Sequence, residues 1–594
     1  MRHRRSSIIG LTLASLVAAA MATAITPGVA HAATTYYVAT NGTTSNPGTE
    51  SQPFATINQF MALAQPGDTV YVRGGTYSIG ETYLSASGNA NGWITIRNYP
   101  GETPVLDGGG SAGVAFYYGE GNQGVGKGSY VVIDGFVIRN YWRSGINIGC
   151  CSADGSTDQS VSHVIVRNNV IDRTGQNGIT FMQAGDVTVE HNLIGRTGWD
   201  AGTGSWSSGI NLYAMYGTNN RVDGNVTYHN VDVSSYHTDG NGIILDLTYG
   251  NGGVTIQNNV AFENGGSGIQ LTHSGNSRIV NNTTYENGKE PTYINGGTGL
   301  GFWGSEAMNN EVVSNNVVYQ SFGSGLRTDG GFSNSTVSNN TIAGQDGYQD
   351  PAFADANDAN FQLQGTSPSV DTGTSSNAPG SALVFDQQAL TQTTSDQPIS
   401  WYRWAPDFGY ILGRGGVANL FGSVARPQGG GYDRGAFERS GTGVDPGGSG
   451  NLISNGEFDN GTTGWWTWFD TAAAGTIGVS AAGLSGANAL KLDLSNGASY
   501  DWQAQVGQTL PVTAGTQYTL SFRGRADAAR SVGVLVQQEG APYTAYLSGT
   551  ASLGTSGQTY TFQFTPTASG NAYVKFQAGG SGTDLYLDAI SLTS

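Results

Sequence analysis

One asparagine recurs in phase along the middle of this chain: Asn169, Asn192, Asn225, Asn259, Asn282, Asn316 and Asn340, at spacings of 23, 33, 34, 23, 34 and 24 residues. The same pattern surrounds each of them: a short Val/Ile strand, Asn-Asn or a near equivalent, a second apolar strand, a polar turn, then Gly-Ile or Gly-Leu and a third strand. VIVRNNVIDRTGQNGITFMQ (from Val164) and VTIQNNVAFENGGSGIQLTH (from Val254) are two copies, and a degenerate one runs from Ser129 to Gly149. Strands this short cannot bury a face alone, whereas stacked copies close a continuous core. An asparagine at the same turn of every rung can bond to those above and below it, satisfying amides that would otherwise be buried unpaired. Seven in-phase copies disfavour a sandwich with chance Asn pairs. They predict an all-β chain built on a right-handed parallel β-helix, a solenoid. The 92 glycines fit turns that need tight or left-handed backbone.

Three copies carry about ten extra residues at one turn, between the second and third strands: Gly198–Ser207, Asn230–Gly240 and Gly288–Gly297. Stacking puts these loops on one side, and long loops on a rigid scaffold tend to carry function. Strand alternation sends Ile243, Leu245 and Leu247 inward and Ile244 and Asp246 outward. The same phase turns Asn147, Thr180, Asn211, Tyr213, Gln270, Thr272, Trp303, Arg327 and Asp329 outward. Rungs are about 4.8 Å apart, near the length of one sugar unit. A groove lined by Tyr213, Asp246, Thr272, Trp303 and Asp329 therefore suits a polysaccharide. His237, Asp239 and Asp246 form the densest titratable cluster, with Lys289 on a flanking loop and Asp200 and Glu290 on flanking loops as substrate contacts. Paired carboxylates can act as acid and base on a glycosidic bond, with His237 in support. The same two aspartates are alternatively calcium ligands, and each group also has a plain structural reading: a turn residue for Asp239, a solvated charge for Asp246 and Lys289.

The repeats resemble the pectate-lyase-type β-helix superfamily. Tyr36 to Tyr77 (YYVATNGTTSNPGTESQPFATINQFMALAQPGDTVYVRGGTY) is similar to the capping region of its bacterial lyases and glycosidases, with a helix-like plug at Phe54 to Ala64. Asp350 to Arg439 resembles the tail of the same proteins. The resemblance implies the fold and a carbohydrate substrate, and leaves the reaction open. Lyases of this fold use Lys or Arg as the base, which makes Lys289 and Arg327 candidates beside Asp239, Asp246 and His237. Family-nine lyases carry an Asp-Asp-Gly-Trp-Asp calcium motif and a lysine in a Gly-Phe-Lys strand. The strands here read SGIQLTH and TGLGFWG, with Gln270 and Gly301 where those charged groups are expected.

The remaining chain divides into an expected signal peptide (1–32), a β-helix (33–440), a linker (441–450) and a β-sandwich (451–594). Arg2, Arg4 and Arg5, an apolar run and Ala30-His31-Ala32 mark export, so a secreted, extracellular protein is expected. Cys150 and Cys151 are adjacent and either stay reduced or form a strained ring. NLISNGEFD and the closing DLYLDAISL resemble the family-four/nine carbohydrate-binding modules. That resemblance implies a structural Ca²⁺ at Glu457 and Asp588 and sugar contacts from Trp502, Gln505 and Gln538. A net charge of −18 argues against nucleic acid as a partner. No membrane partner is expected, and a monomer is. The favoured activity is glycoside hydrolysis. The alternatives are calcium-assisted elimination on a uronate polymer and a surface binder without catalysis.

Overall fold

The computed structural model describes residues 31–593 apart from 79, 119–127, 150–160, 201–205, 249–251, 294–295, 305–307, 330–331, 357–358, 393–398, 429, 440–451, 454, 457, 459–460, 481–483 and 485–487. The expected signal segment up to residue 30, the cysteine pair, the linker and Glu457 lie outside the described residues. No helix among the described residues is long and apolar enough to cross a membrane.

Each repeat gives one strand to each of three parallel sheets, of eleven, ten and nine strands among the described residues. The first sheet runs from Thr35–Thr43 to Thr336–Ser338, the second from Gly75–Tyr77 to Thr341–Ile342, the third from Thr82–Tyr83 to Ser324–Thr328. Register is strict. Val166, Val189, Val222, Ile256, Ile279 and Val313 stack in one inward column, all buried. The helix at the N-terminal end is shorter than expected, Ile57–Met61, and buries Ile57, Phe60 and Met61 against the first rungs.

The asparagine ladder is continuous. Asn169 Nδ2 donates to Asn192 Oδ1 at 3.0 Å, and the pattern repeats through Asn225, Asn259, Asn282, Asn316 and Asn340 at 2.9–3.0 Å. Each backbone N–H along it also donates to the next rung's Oδ1, as Asn225 N does to Asn259 at 2.9 Å. The residue before each ladder member explains the doublets: Asn168, Asn258, Asn281, Asn315 and Asn339 have φ of 53–57°. Asparagine tolerates that left-handed turn, so the first Asn bends the chain and the second carries the ladder. A second ladder, Thr197–Asn230–Asn264–Asn287, crosses the turn before the third strands.

The glycines before the third strands serve a different purpose from the left-handed turns expected of them. A Cβ on Gly178, Gly209, Gly242 or Gly268 would stand 2.6–2.7 Å from the carbonyl oxygen of the matching glycine one rung on. Only hydrogen fits between rungs there.

The three outer faces differ. Phe361, Trp404 and Leu420 from the C-terminal segment cover the second sheet's Val170, Leu193, Val226 and Val260. The first sheet presents ion pairs such as Arg221 with Glu190 and Asp223. The third sheet is overhung by the three inserted loops. C-terminal to the solenoid, two antiparallel five-stranded sheets enclose a separate apolar core, the expected sandwich.

Candidate functional site

The third sheet's registers set two outward columns. One is Asn147, Thr180, Asn211, Ile244, Gln270, Gly301 and Arg327; the other runs Met182, Tyr213, Asp246, Thr272 and Trp303. They hold the expected outward residues apart from Asp329, which follows the end of the last strand, and add Met182 and Gly301. Leu247 departs from the expectation: the strand ends at Asp246, and Leu247 turns with φ 54° and is half-buried instead of pointing inward.

The inserted loops meet over this sheet. Trp206 stacks on Tyr236 at 5.1 Å, joining the first loop to the second. His237 Nδ1 lies 3.1 Å from the Asp232 carbonyl and 3.2 Å from Thr292 Oγ1, joining the second to the third. Tyr293 of the third loop donates its hydroxyl to Gln270 Oε1 at 3.0 Å. The first column is roofed as a result: Thr180, Ile244 and Gln270 are all buried. The second column is left as the open floor. His237 is thus a clasp between loops, in contrast to the expected support for a carboxylate.

Asp239 stands on the second inserted loop and Asp246 ends the strand that follows it, near enough that the Asp246 charge acts on Asp239's titration. Asp239 is 6% exposed. It accepts from Thr238 Oγ1 at 3.3 Å and Asn241 Nδ2 at 3.1 Å. Burial first, then the charges of Asp232 and Asp246, push its carboxyl up to about 8. Asp246 sits between Tyr213 and Thr272, and its Oδ1 is buried without a hydrogen bond. Burial pushes it up to about 6, against the pull of the His273 charge and the Leu247 N–H. At neutral pH Asp239 therefore carries a proton and Asp246 is largely ionised, an acid beside a base. Asp232 is fully buried and accepts from Ser234 N and Thr238 N, fixing the loop that holds Asp239. Sequence reasoning missed Asp232 and His273. His273 follows its third strand where Gln183, Ala214, Leu247 and Gly304 follow theirs, and that phase was its available signal.

Raised proton affinity gives a stability prediction. With a folded value near 8 and an unfolded one near 4, the folded state holds a proton on Asp239 that the unfolded state releases. That contribution is complete below the unfolded value and is lost as pH rises towards 8, at up to about 1.4 kcal/mol per unit. Urea unfolding of Asp239→Asn at pH 5 and pH 8 is expected to show a shallower fall than the parent. Parallel falls would refute the assignment.

Other expected site residues are engaged elsewhere. Lys289 pairs with Glu286 at 2.6 Å and faces the Phe322 ring, so the structure does not bring it to Asp246 as a base. Glu290 accepts from Thr292 Oγ1 at 2.7 Å, and the Asp200 backbone N–H donates to the Gly175 carbonyl. Arg327 covers one face of the Trp303 indole at 3.5 Å and donates to Asp329 at 3.2 Å. Gly301 makes room for that indole, since a Cβ there would lie 2.8 Å from Trp303 Nε1. Trp303, expected to line the groove, is therefore capped by a cation on one face.

The two positions where the resemblance expects charged groups offer a calcium ion no carboxylate. Gln270 is an amide bound to Tyr293, Ser267 and Thr272, Gly301 has no side chain, and no group of three His, Cys, Asp or Glu gathers among the described residues. In the sandwich, Asp588 is fully buried and accepts from Leu484 N and Ala589 N, bracing a loop. Trp502 there is 43% exposed and stacks with Tyr500 at 6.1 Å and Trp468 at 6.2 Å. Gln505 lies beside it, opposite Trp468, and donates to the Trp502 carbonyl. Gln538 does not join them: register places it five residues along from Gly533, about 17 Å from that row.

The comparisons with known proteins agree with this architecture. A family described as "Pel9A-like, right handed beta helix region" matches residues 36–366, and a carbohydrate-binding domain of the 4/9 type matches residues 450–584. The chain is 27% identical to pectate lyase L of Paenibacillus polymyxa over 357 residues, 57% of this chain and 70% of that one. It is 25% identical to pectate lyase L of Dickeya chrysanthemi over 404 residues, 63% and 89% of the two. A crystal structure of pectate lyase Pel9A covers 69% of this chain and 97% of its own at 18% identity and a TM-score of 0.43. With more than half its length matched, the chain belongs to the Pel9A-like right-handed β-helix family.

Proposed function

We propose that this chain is a polysaccharide-degrading enzyme that cleaves a uronic-acid polymer of the pectic class by β-elimination, in the groove over the third sheet. The observation that carries the site is the pair Asp239 and Asp246, whose environments push their proton affinities apart within one groove. The similarity to pectate lyase L supports elimination over hydrolysis. In this reading ionised Asp246 takes the proton from C5, electrons move into the C4–C5 bond, and the C4–O bond breaks. Protonated Asp239 supplies the proton to the leaving oxygen. Arg327, further along the groove, meets the carboxylate of a neighbouring unit. The calcium and lysine of family-nine lyases have no counterpart in this scheme, because Gln270 and Gly301 stand in their places.

Hydrolysis is the second reading, favoured by the same pair, because an acid and a base flanking a glycosidic bond also suffice when water attacks. A panel of uronate and neutral polysaccharides distinguishes the two. Elimination yields new reducing ends with the ultraviolet absorbance of an unsaturated uronate; hydrolysis yields reducing ends without it. Either reaction needs Asp246 ionised and Asp239 protonated. The profile of kcat/KM is therefore expected to rise through about 6 and fall through about 8. Absence of reducing ends across the panel would overturn both readings.

A further inference from the structure

The sandwich carries a cation that its aromatic platform does not need for neutral sugars. The strand Gly570–Gln577 is the central one of five. Its Ala572, Val574 and Phe576 enter the core, which turns Tyr573, Lys575 and Gln577 to the opposite face. Lys575 is flanked in register by Gly507 and Leu535. A Cβ on Gly507 would meet Lys575 Cβ at 2.8 Å and Trp466 Cζ2 at 2.9 Å, so this glycine lets the Trp466 ring lie beside the lysine. Tyr573 closes the other side, its ring edge-on to Trp466 at 5.8 Å.

Two donors in this cluster lack a strong acceptor. Lys575 Nζ donates to the neutral Gln537 Oε1 at 3.1 Å, and no carboxylate pairs with it among the described residues. Lys289 and Lys491, by contrast, pair with Glu286 and with Asp493 and Asp584. Trp466 Nε1 is buried and donates to nothing. Burial pushes the Lys575 ammonium below the usual lysine range, a cost that a bound anion would offset. In a chain of net charge −18, a lysine that pairs with no carboxylate among the described residues, although Glu539 accepts from the neighbouring Tyr573 at 3.4 Å, suits an anionic ligand on a sugar-binding fold.

We propose that this face binds an acidic polysaccharide, with Lys575 receiving a uronate carboxylate while Trp468 and Trp502 stack on neighbouring sugar rings. Trp468 and Gln577 stand one outward position along their strands from Trp466 and Lys575, about 7 Å, within reach of the adjoining sugar. Aromatic stacking supplies area, and the charge-assisted bonds supply the choice of a carboxylate over a hydroxyl.

This inference shares the uronate class of the cleavage reading and rests on a separate site. It is tested by binding, in the full chain carrying Asp246→Asn so that the probe survives. Affinity electrophoresis on polygalacturonate and on fully methyl-esterified pectin, with and without Lys575→Met, gives the comparison. Lys575→Met is expected to weaken polygalacturonate binding on the order of ten-fold or more and to leave the esterified polymer unchanged. Lys575→Arg keeps the charge and is expected to retain binding. Equal polygalacturonate binding by Lys575→Met, equal loss in Lys575→Arg, or a parent that binds both polymers alike would overturn it. Lys575-dependent binding, together with no cleavage of any polymer by the parent chain that keeps Asp246, would sink the cleavage reading alone.

Discussion

Asp246→Asn is expected to lower turnover on the cleaved polysaccharide by about three orders of magnitude, the usual loss when a positioned general base is removed. The substitution changes little else. Asparagine keeps the volume, and the outward side chain stays in register between Tyr213 and Thr272. What disappears is a half-buried carboxylate on the groove floor, one of whose oxygens, Oδ1, is enclosed without a hydrogen-bond donor. A structural role predicts the opposite outcome for stability. The folded value near 6 lies above the unfolded one, so burying the ionised group costs free energy at pH 8. Asp246→Asn should then unfold at equal or higher urea concentration at pH 8 while losing activity. Activity within about threefold of the parent would remove Asp246 from the chemistry. A large loss of stability with activity per folded molecule unchanged would make it a structural residue.

The solenoid was legible because its costs recur once per rung. A buried turn amide must be satisfied at every level, and one residue type at one phase does it from Asn169 to Asn340. The doublet hid a second message: its first asparagine serves the left-handed turn, which composition does not separate from the ladder. The floor was legible too, since strand alternation is indifferent to distant contacts. Loop chemistry was not. His237 looked like a catalytic neighbour because it is close in sequence to Asp239, but its Nδ1 is held by Asp232 and by Thr292 of another loop. Lys289 stood out for scarcity, while three residues back Glu286 takes its charge. Trp303 read as an outward floor residue, while Gly301, two residues back on its strand, and Arg327, one rung on, decide how its ring lies. Thr292 and Arg327 lie on another loop or rung, where pattern within one repeat carries no information, and Asp232, Glu286 and Gly301 lie in the same repeat at spacings whose meaning only the folded loop or strand fixes.

Asn259→Ala is the substitution expected to cost the fold most. Its Nδ2 donates to the Val222 and Gln257 carbonyls at 3.0 and 2.8 Å and to Asn282 Oδ1 at 3.0 Å. Its Oδ1 accepts from Asn225 N and Nδ2 at 2.9 and 3.0 Å. Alanine removes both ends of this exchange and leaves buried groups of two adjacent rungs unpaired, with no route for water to a fully buried position. Each orphaned group costs about 1–3 kcal/mol, and relaxation recovers only part of it, so a net loss of about 4 kcal/mol is expected. The rung is also a link in a one-dimensional stack, where each repeat is stabilised by its neighbours. Local damage should therefore open the solenoid near the centre, with hydrogen exchange accelerating first in Val222, Ile256 and Ile279. Urea unfolding followed by exchange checks both parts. A loss below about 1 kcal/mol, or exchange that quickens only at the solenoid ends, would mean that side-chain stacking of Val and Ile holds the rungs without the ladder.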